Sequence, residues 1–190
     1  MTLLLKFLGA FIIGAIPFAK VAMLGTGIDI TKVGSGNPGF RNVSRVASRW
    51  RAAICLIGDV GKGLFAVWLL GRGETSAYVL WGLGIIAVMG HCWSPFLAFN
   101  GGKGVATTFG VLLYLQPAIT LICLPLYPML RFAGSKLKLR QEGAIASLTT
   151  AAAISLLVIA LKGIEPGVLA CVMLLIVLIR HTPNLRELMA

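Results

Sequence analysis

Acidic residues are scarce. Asp and Glu number 6 against 17 Lys and Arg, and charged residues of both signs make up only 12% of the 190-residue chain. A soluble domain carries roughly twice that fraction, ~25%. With 58% of residues hydrophobic, one soluble globule cannot hide the apolar groups, so lipid must solvate most of them. The same figures exclude a disordered chain and a coiled coil. Cysteine is sparse too: Cys55, Cys92, Cys123 and Cys171 lie far apart in or beside apolar runs. That rules out a disulfide scaffold and offers no metal-ligand spacing, so the four read as small buried hydrophobes. No basic segment precedes the first apolar stretch, Lys6 being the lone early charge. A cleaved signal peptide is therefore not expected, and Met1 to Leu24 should stay as the first span. Aromatics interleaved with basic residues are also wanting outside the apolar runs, where Trp50 is almost alone. The net charge of +11 thus does not read as nucleic-acid binding. It reads as topogenic charge facing anionic lipid head groups. No internal repeat or low-complexity tract is visible.

What is there is a series of apolar runs punctuated by Gly, Pro and charge. At ~20 residues per crossing there is room for about seven spans. The expected spans are 3–24, 52–71, 77–98, 105–116, 118–132, 144–161 and 166–180. From Val105 to Phe132 a single helix would be ~42 Å long, too long for a ~30 Å core without strong tilt. Gln116-Pro117 in its middle argues for a break into two short helices; one tilted, kinked helix is the alternative. Basic residues arbitrate. Lys32, Arg41, Arg45, Arg49 and Arg51, then Lys103, then Arg131, Lys136, Lys138 and Arg140, and finally Arg180 and Arg186 fall on one side only if Pro117 separates two crossings. The fold class expected is therefore an all-α polytopic membrane protein of seven transmembrane helices, two of them short. Its N-terminus is outside and its C-terminus cytoplasmic, with residues 1–190 forming a single membrane-embedded domain.

Three segments on the expected cytoplasmic side are unlike ordinary connecting loops. In Gly34-Ser35-Gly36-Asn37-Pro38-Gly39-Phe40-Arg41-Asn42-Val43-Ser44-Arg45, the glycines let backbone N–H groups converge on one point, as a phosphate needs. Ser35 adds a hydroxyl. If a helix begins near Phe40, Asn42 and Arg45 share a face, and a guanidinium grips phosphate through two parallel bonds. A plain turn with topogenic arginines would look similar. In Gly58-Asp59-Val60-Gly61-Lys62-Gly63, Asp59 and Lys62 sit at i,i+3 inside an apolar run; they can pair, as a functional site or as a structural device. The third segment runs from Gly90-His91 to Asn100-Gly101-Gly102-Lys103-Gly104-Val105-Ala106-Thr107. It is not a Walker A loop, because Lys103 is followed by glycine rather than Ser or Thr and no acidic partner for Mg²⁺ is evident. Exposed glycine N–H groups, an ammonium and a helix start still favour an anion. His91, at a span end, reads as an interface histidine. His181 opens the tail Arg180-His181-Thr182-Pro183-Asn184.

Taken together these segments resemble the bacterial acyl-phosphate-dependent glycerol-3-phosphate acyltransferases, the PlsY family. The likeness rests on Gly34-Ser35-Gly36-Asn37-Pro38-Gly39 with Asn42 and Arg45, on Asp59 with Lys62-Gly63, on Gly90-His91, on Gly101-Gly102-Lys103-Gly104-Val105-Ala106-Thr107, and on Arg180-His181 with Asn184. Order and spacing hold from Gly34 to the tail. The resemblance implies transfer of a fatty acyl group from acyl phosphate to the 1-hydroxyl of glycerol 3-phosphate, giving lysophosphatidic acid in a bacterial inner membrane. It implies catalytic roles for Ser35, Arg45, His181 and Asn184. Phosphate binding would fall to Gly36, Asn37, Asn42, Lys62, Gly101, Gly102, Lys103 and Gly104. Membrane lipids are the expected surroundings, and no metal, cofactor or nucleic-acid partner is implied. The chemistry is compatible with this inventory: an acyl phosphate is a mixed anhydride with a good leaving group, so no covalent serine is demanded, and no Ser-His-Asp set is present. Cations must relieve the repulsion of two phosphates, and His181 or a phosphate oxygen must take the hydroxyl proton. Some positions depart from the family pattern. Phe40-Arg41 stands where Ala-Thr is usual, Asn100 where Lys is usual, and Gln141 to Ser147 where a Tyr-x-Ser-Leu-x-Ser stretch is expected, unless Ser147, Thr149 or Thr150 replaces the lost hydroxyls. The family's basic tail is also incomplete at Ala190. These departures motivate one rival, a non-catalytic relative serving as a scaffold in a membrane complex. A transporter, the other rival, should show two pseudo-symmetric halves, which this sequence lacks.

Overall fold

The computed structural model describes residues 2–189, so Met1 of the expected first span and Ala190 lie outside it. The helices are α1 (Leu3–Ala15), α2 (Phe18–Ala22), α3 (Phe40–Val46), α4 (Arg49–Leu70), α5 (Ala77–Cys92), α6 (Val105–Leu115), α7 (Pro117–Cys123), α8 (Leu126–Lys136), α9 (Glu142–Lys162), α10 (Ile164–Arg180) and α11 (Thr182–Met189). Among the described residues there is no strand. The chain divides into two compact units, up to Val111 and from Leu112.

Among the described residues, five stretches are long and apolar enough to cross a membrane: Leu3–Ala22, Arg49–Leu70, Ala77–Leu97, Pro117–Lys136 and Glu142–Lys162. A sixth is reached if α10 and α11, bent by 63°, count together. The expected break at Pro117 is present. Gln116 leaves helical geometry at φ −141°, ψ 60°, and Pro117 opens α7 at its first position, where a missing N–H costs nothing. The expected short span 105–116 is the 11-residue α6, about 16 Å long, roughly half of a ~30 Å hydrocarbon core.

In the first unit α1 crosses α5 closely. A Cβ on Gly14 would stand 2.0 Å from the Ala87 carbonyl oxygen, and one on Gly90 2.1 Å from that of Phe11. Small residues thus let backbones approach where lipid supplies no hydrophobic drive. Pro17 breaks the first span between α1 and α2, and the carbonyls freed there are recovered by side chains. Ser94 Oγ donates to Ala15 O at 2.6 Å, and Lys62 Nζ to Ile16 O at 2.7 Å. Arg51, read from sequence as a topogenic charge, reaches back to the end of α2 and donates to the carbonyls of Ala22 (2.6 Å) and Leu24 (3.0 Å). Ala19, Ala22, Met23, Ile30, Val43, Ala52 and Cys55 form one buried cluster, which fixes α2, the following loop and α3 against the start of α4. At the other end, Lys6 pairs with Glu74 at 3.4 Å. The Ser76 backbone N–H and then Lys6 hold the Glu74 carboxyl below the usual glutamate range.

In the second unit α9 and α10 form a hairpin turned by Gly163 alone, at φ 98°, a backbone region in which a Cβ is strained. Hydroxyls within α9 bond back to their own helix, Thr150 to Ala146 O at 2.8 Å and Ser155 to Ala151 O at 3.0 Å, as an apolar surrounding requires.

Candidate active site

The glycine-serine loop is built around Asn42. α3 begins at Phe40, as the sequence predicts, and its inner face turns Asn42 into the protein at 1% exposure. Asn42 Nδ2 donates to Ile30 O (3.0 Å) and Val33 O (2.9 Å), while Oδ1 accepts the Ser35 N–H at 2.9 Å. The expected phosphate contact from this amide is thus replaced by work inside the loop: its two hydrogens are spent on backbone. Gly34 and Gly36 take φ 62° and 68°, and a Cβ on Gly34 would stand 2.2 Å from Asn42 Oδ1. Asn37 is half-buried and the Ser35 and Arg45 side chains are exposed, so a hydroxyl and a guanidinium are presented from the loop and the next helix.

Lys62 corrects a second expectation. Its ammonium does not face a loop. It is buried at 2% side-chain exposure, 2.8 Å from Asp59 Oδ1, and also holds Ile16 O. His91 is not an interface histidine either. It is buried, with Nδ1 3.4 Å from the same Asp59 oxygen, and Cys55 Sγ lies 3.7 Å from the other. Lys62 and the His91 ring on one carboxylate are what make these residues tolerable inside an apolar bundle.

The Gly101–Gly104 loop packs on the end of α5. Gly101 N–H donates to Cys92 O (3.1 Å) and Gly102 N–H to His91 O (3.2 Å), so these two amides serve the fold, contrary to the expectation that they lie open to an anion. There is no room for a side chain at either position: a Cβ on Gly101 would stand 2.1 Å from His91 O, and one on Gly102 2.2 Å from His91 Nε2. The chain reaches this loop through Ala98 and Phe99 at φ 49° and 60°, a conformation held by the Phe99 N–H to Ser94 O bond of 2.8 Å. Lys103 is half-buried, and Gly104, at φ 82°, starts α6 by accepting the Thr108 N–H at 2.8 Å. The hydroxyls of Thr107 and Thr108 in its first turn are buried with no hydrogen-bond partner among the described residues. A groove of about 510 Å³ beside the loop is lined by Lys20, Thr31, Phe96, Leu97, Ala98 and Asn100. It brings the segment after the first span and the loop after α5 to the same end of the unit.

In the second unit His181 is 2% exposed. Its Nδ1 is 2.8 Å from Val177 O; a carbonyl only accepts, so Nδ1 carries the hydrogen and Nε2 of the neutral ring is the basic nitrogen. Ser147 Oγ lies 3.2 Å from Nε2 and within 2.9 Å of Gly143 O. The Gln141–Ser147 stretch therefore does place a hydroxyl beside the histidine. Asn184 Nδ2 donates to Gln141 Oε1 at 2.6 Å, and Gln141 Nε2 donates to Glu187 Oε2. Sequence reasoning overlooked Gln141 as the link from α9 to α11. Its only sequence signal was its departure from the family pattern. Among the described residues, no three His, Cys, Asp or Glu side chains gather as metal ligands would.

A family model described as "Glycerol-3-phosphate acyltransferase" matches residues 4–190. A glycerol-3-phosphate acyltransferase of Laribacter hongkongensis is 36% identical, covering 100% of this chain and 94% of its own length. One of Sulfurimonas denitrificans is 34% identical over 96% and 90%. Two crystal structures of PlsY, an integral membrane glycerol 3-phosphate acyltransferase, are similar to this one. The glycerol 3-phosphate form gives a TM-score of 0.85 at 28% identity, covering 98% of this chain and 92% of that one. The lysophosphatidic acid form gives 0.85 at 26%, covering 98% and 91%.

Proposed function

This chain belongs to the glycerol-3-phosphate acyltransferase family, and on that premise we propose that acyl phosphate is its donor and lysophosphatidic acid its product. The acyl carbonyl carbon takes the 1-hydroxyl oxygen of glycerol 3-phosphate, the ester C–O bond forms, and the C–O bond to phosphate breaks. Inorganic phosphate leaves, and the hydroxyl proton passes to His181 Nε2 or to a phosphate oxygen, whose pKa of ~6 suits it. The observation that carries this reading is His181: the Val177 carbonyl fixes its tautomer and leaves Nε2 as a base. Arg45 and Lys103 supply cationic charge for the phosphates, aided by the start of α6, while Ser35 and Asn184 position substrate. Gly36, Asn37, Asn42 and Gly101 to Gly104 shape the loops that carry these groups. The groove lined by Lys20, Asn100, Phe96 and Leu97 suits an amphipathic anion whose tail stays in the bilayer.

In this reading residues 1–190 act as one domain of a bacterial inner membrane, crossing seven times with the N-terminus outside. Purified protein given acyl phosphate and glycerol 3-phosphate should release lysophosphatidic acid and phosphate, measured by mass spectrometry, and acyl-CoA should not replace the donor. Arg45→Ala and His181→Ala should each abolish turnover in folded protein. No product above background from well-folded wild type would end the proposal. A non-catalytic relative held in a larger complex would then be the surviving reading.

A further inference from the structure

The buried groups that the reaction does not use form one connected chain. The Ile16 carbonyl, exposed by the break at Pro17, is held by Lys62 Nζ; Lys62 and His91 converge on Asp59 Oδ1; and His91 meets the phosphate loop twice. Its backbone oxygen accepts the Gly102 N–H, and its ring nitrogen Nε2 lies where a Gly102 Cβ would be, 2.2 Å away. A carboxylate facing Nδ1 keeps the hydrogen on that nitrogen and fixes the ring plane. The ring edge is therefore a rigid floor, and Gly101-Gly102 are glycines because the chain must lie directly on it. Lys103 is the next residue.

We propose that Asp59 and His91 are positioning residues for the glycerol 3-phosphate site, setting through Gly102 the height at which Lys103 and the start of α6 are presented to the substrate phosphate. This rests on the functional reading above. Neither residue touches substrate; both act through the loop. A displacement of an ångström in such a loop weakens binding of the anion while the reacting groups keep their chemistry.

Because the two glycines are blocked by different atoms, a double-mutant cycle isolates the contact. The three atoms nearest a Gly102 Cβ all belong to the His91 imidazole, so His91→Ala should relieve Gly102→Ala. Gly101→Ala meets the backbone oxygens of His91 and Cys92, which no side-chain truncation removes. His91→Ala and Gly102→Ala should each raise the KM for glycerol 3-phosphate by about tenfold or more, with kcat within about threefold. The pair together should be less impaired than the product of the two effects, whereas His91→Ala should give no relief to Gly101→Ala. Thermal unfolding checks that each variant is folded, and Gly102→Ala alone decides the KM outcome if His91→Ala is not. Calorimetric titration with glycerol 3-phosphate, without acyl donor, separates this proposal from the reaction itself. Wild type that binds while His91→Ala and Gly102→Ala bind equally well, or a cycle without coupling, would overturn the positioning role and leave the acyltransferase reading intact. Wild type that neither binds nor turns over would overturn both.

Discussion

Asn42 shows how a polar residue beside a glycine-rich loop can be spent entirely on the loop. Its amide replaces three backbone partners that the turn from Ile30 to Ser35 would otherwise leave unsatisfied. Asn42→Ala should therefore cost about 2 kcal/mol, the scale of an orphaned buried polar group, read as a lower midpoint of unfolding in detergent. An unchanged midpoint would mean that water replaces the amide. From sequence, the Asn42 and Arg45 pair on one helical face was legible, since a 3.6-residue period needs only spacing. That one residue of the pair turns inward and the other stays exposed was not, because it depends on the buried cluster under α3. His181 and Ser147 illustrate the same limit. Each was named from the sequence, but their 3.2 Å approach joins residues that a whole α9–α10 hairpin separates.

Among the elements, α4 carries the costliest feature, an ion pair inside a membrane-crossing helix. The i,i+3 spacing of Asp59 and Lys62 made their pairing readable, and the pairing is present at 2.8 Å. What spacing did not disclose is that the ammonium also closes the broken first span at Ile16. Lys62→Met should therefore strand the Ile16 carbonyl and leave the Asp59 carboxylate to His91 and Cys55, destabilising the fold by about 3–5 kcal/mol. The double substitution Lys62→Met with Asp59→Leu should recover part of that loss, because it removes the carboxylate that has lost its ammonium. Unfolding midpoints in detergent distinguish the two, and equal losses would show that the pair is not coupled. The break at Pro117 is the opposite case. Proline's missing N–H and fixed φ are local properties, so the end of α6 and the start of α7 could be placed from residue identity.

For the whole molecule, the charge asymmetry of the sequence predicts seven crossings, yet among the described residues only five stretches, or six with the bent pair, are long enough taken one by one. In the first unit the ends are already sorted: Lys6 and Glu74 pair at one, while Thr31 and Asn100 share a groove at the other. Single cysteines in a background lacking Cys55, Cys92, Cys123 and Cys171 should test the rest. Probes at Thr75 and Gly163 should react with an impermeant maleimide from outside intact cells, and probes at Lys32, Lys138 and Arg186 only after lysis. Outside labelling at Lys138 would reduce the count to six. Composition alone determined that this is a helical membrane protein, because a chain so poor in charge has no other solvent for its apolar groups. Prolines and glycines determined where its helices break, which is a local property. Only the tertiary structure decided which polar groups serve the fold. Asn42, Lys62 and the amides of Gly101 and Gly102 are claimed by distant backbone partners, because in an apolar interior every backbone polar group must be met from within the protein.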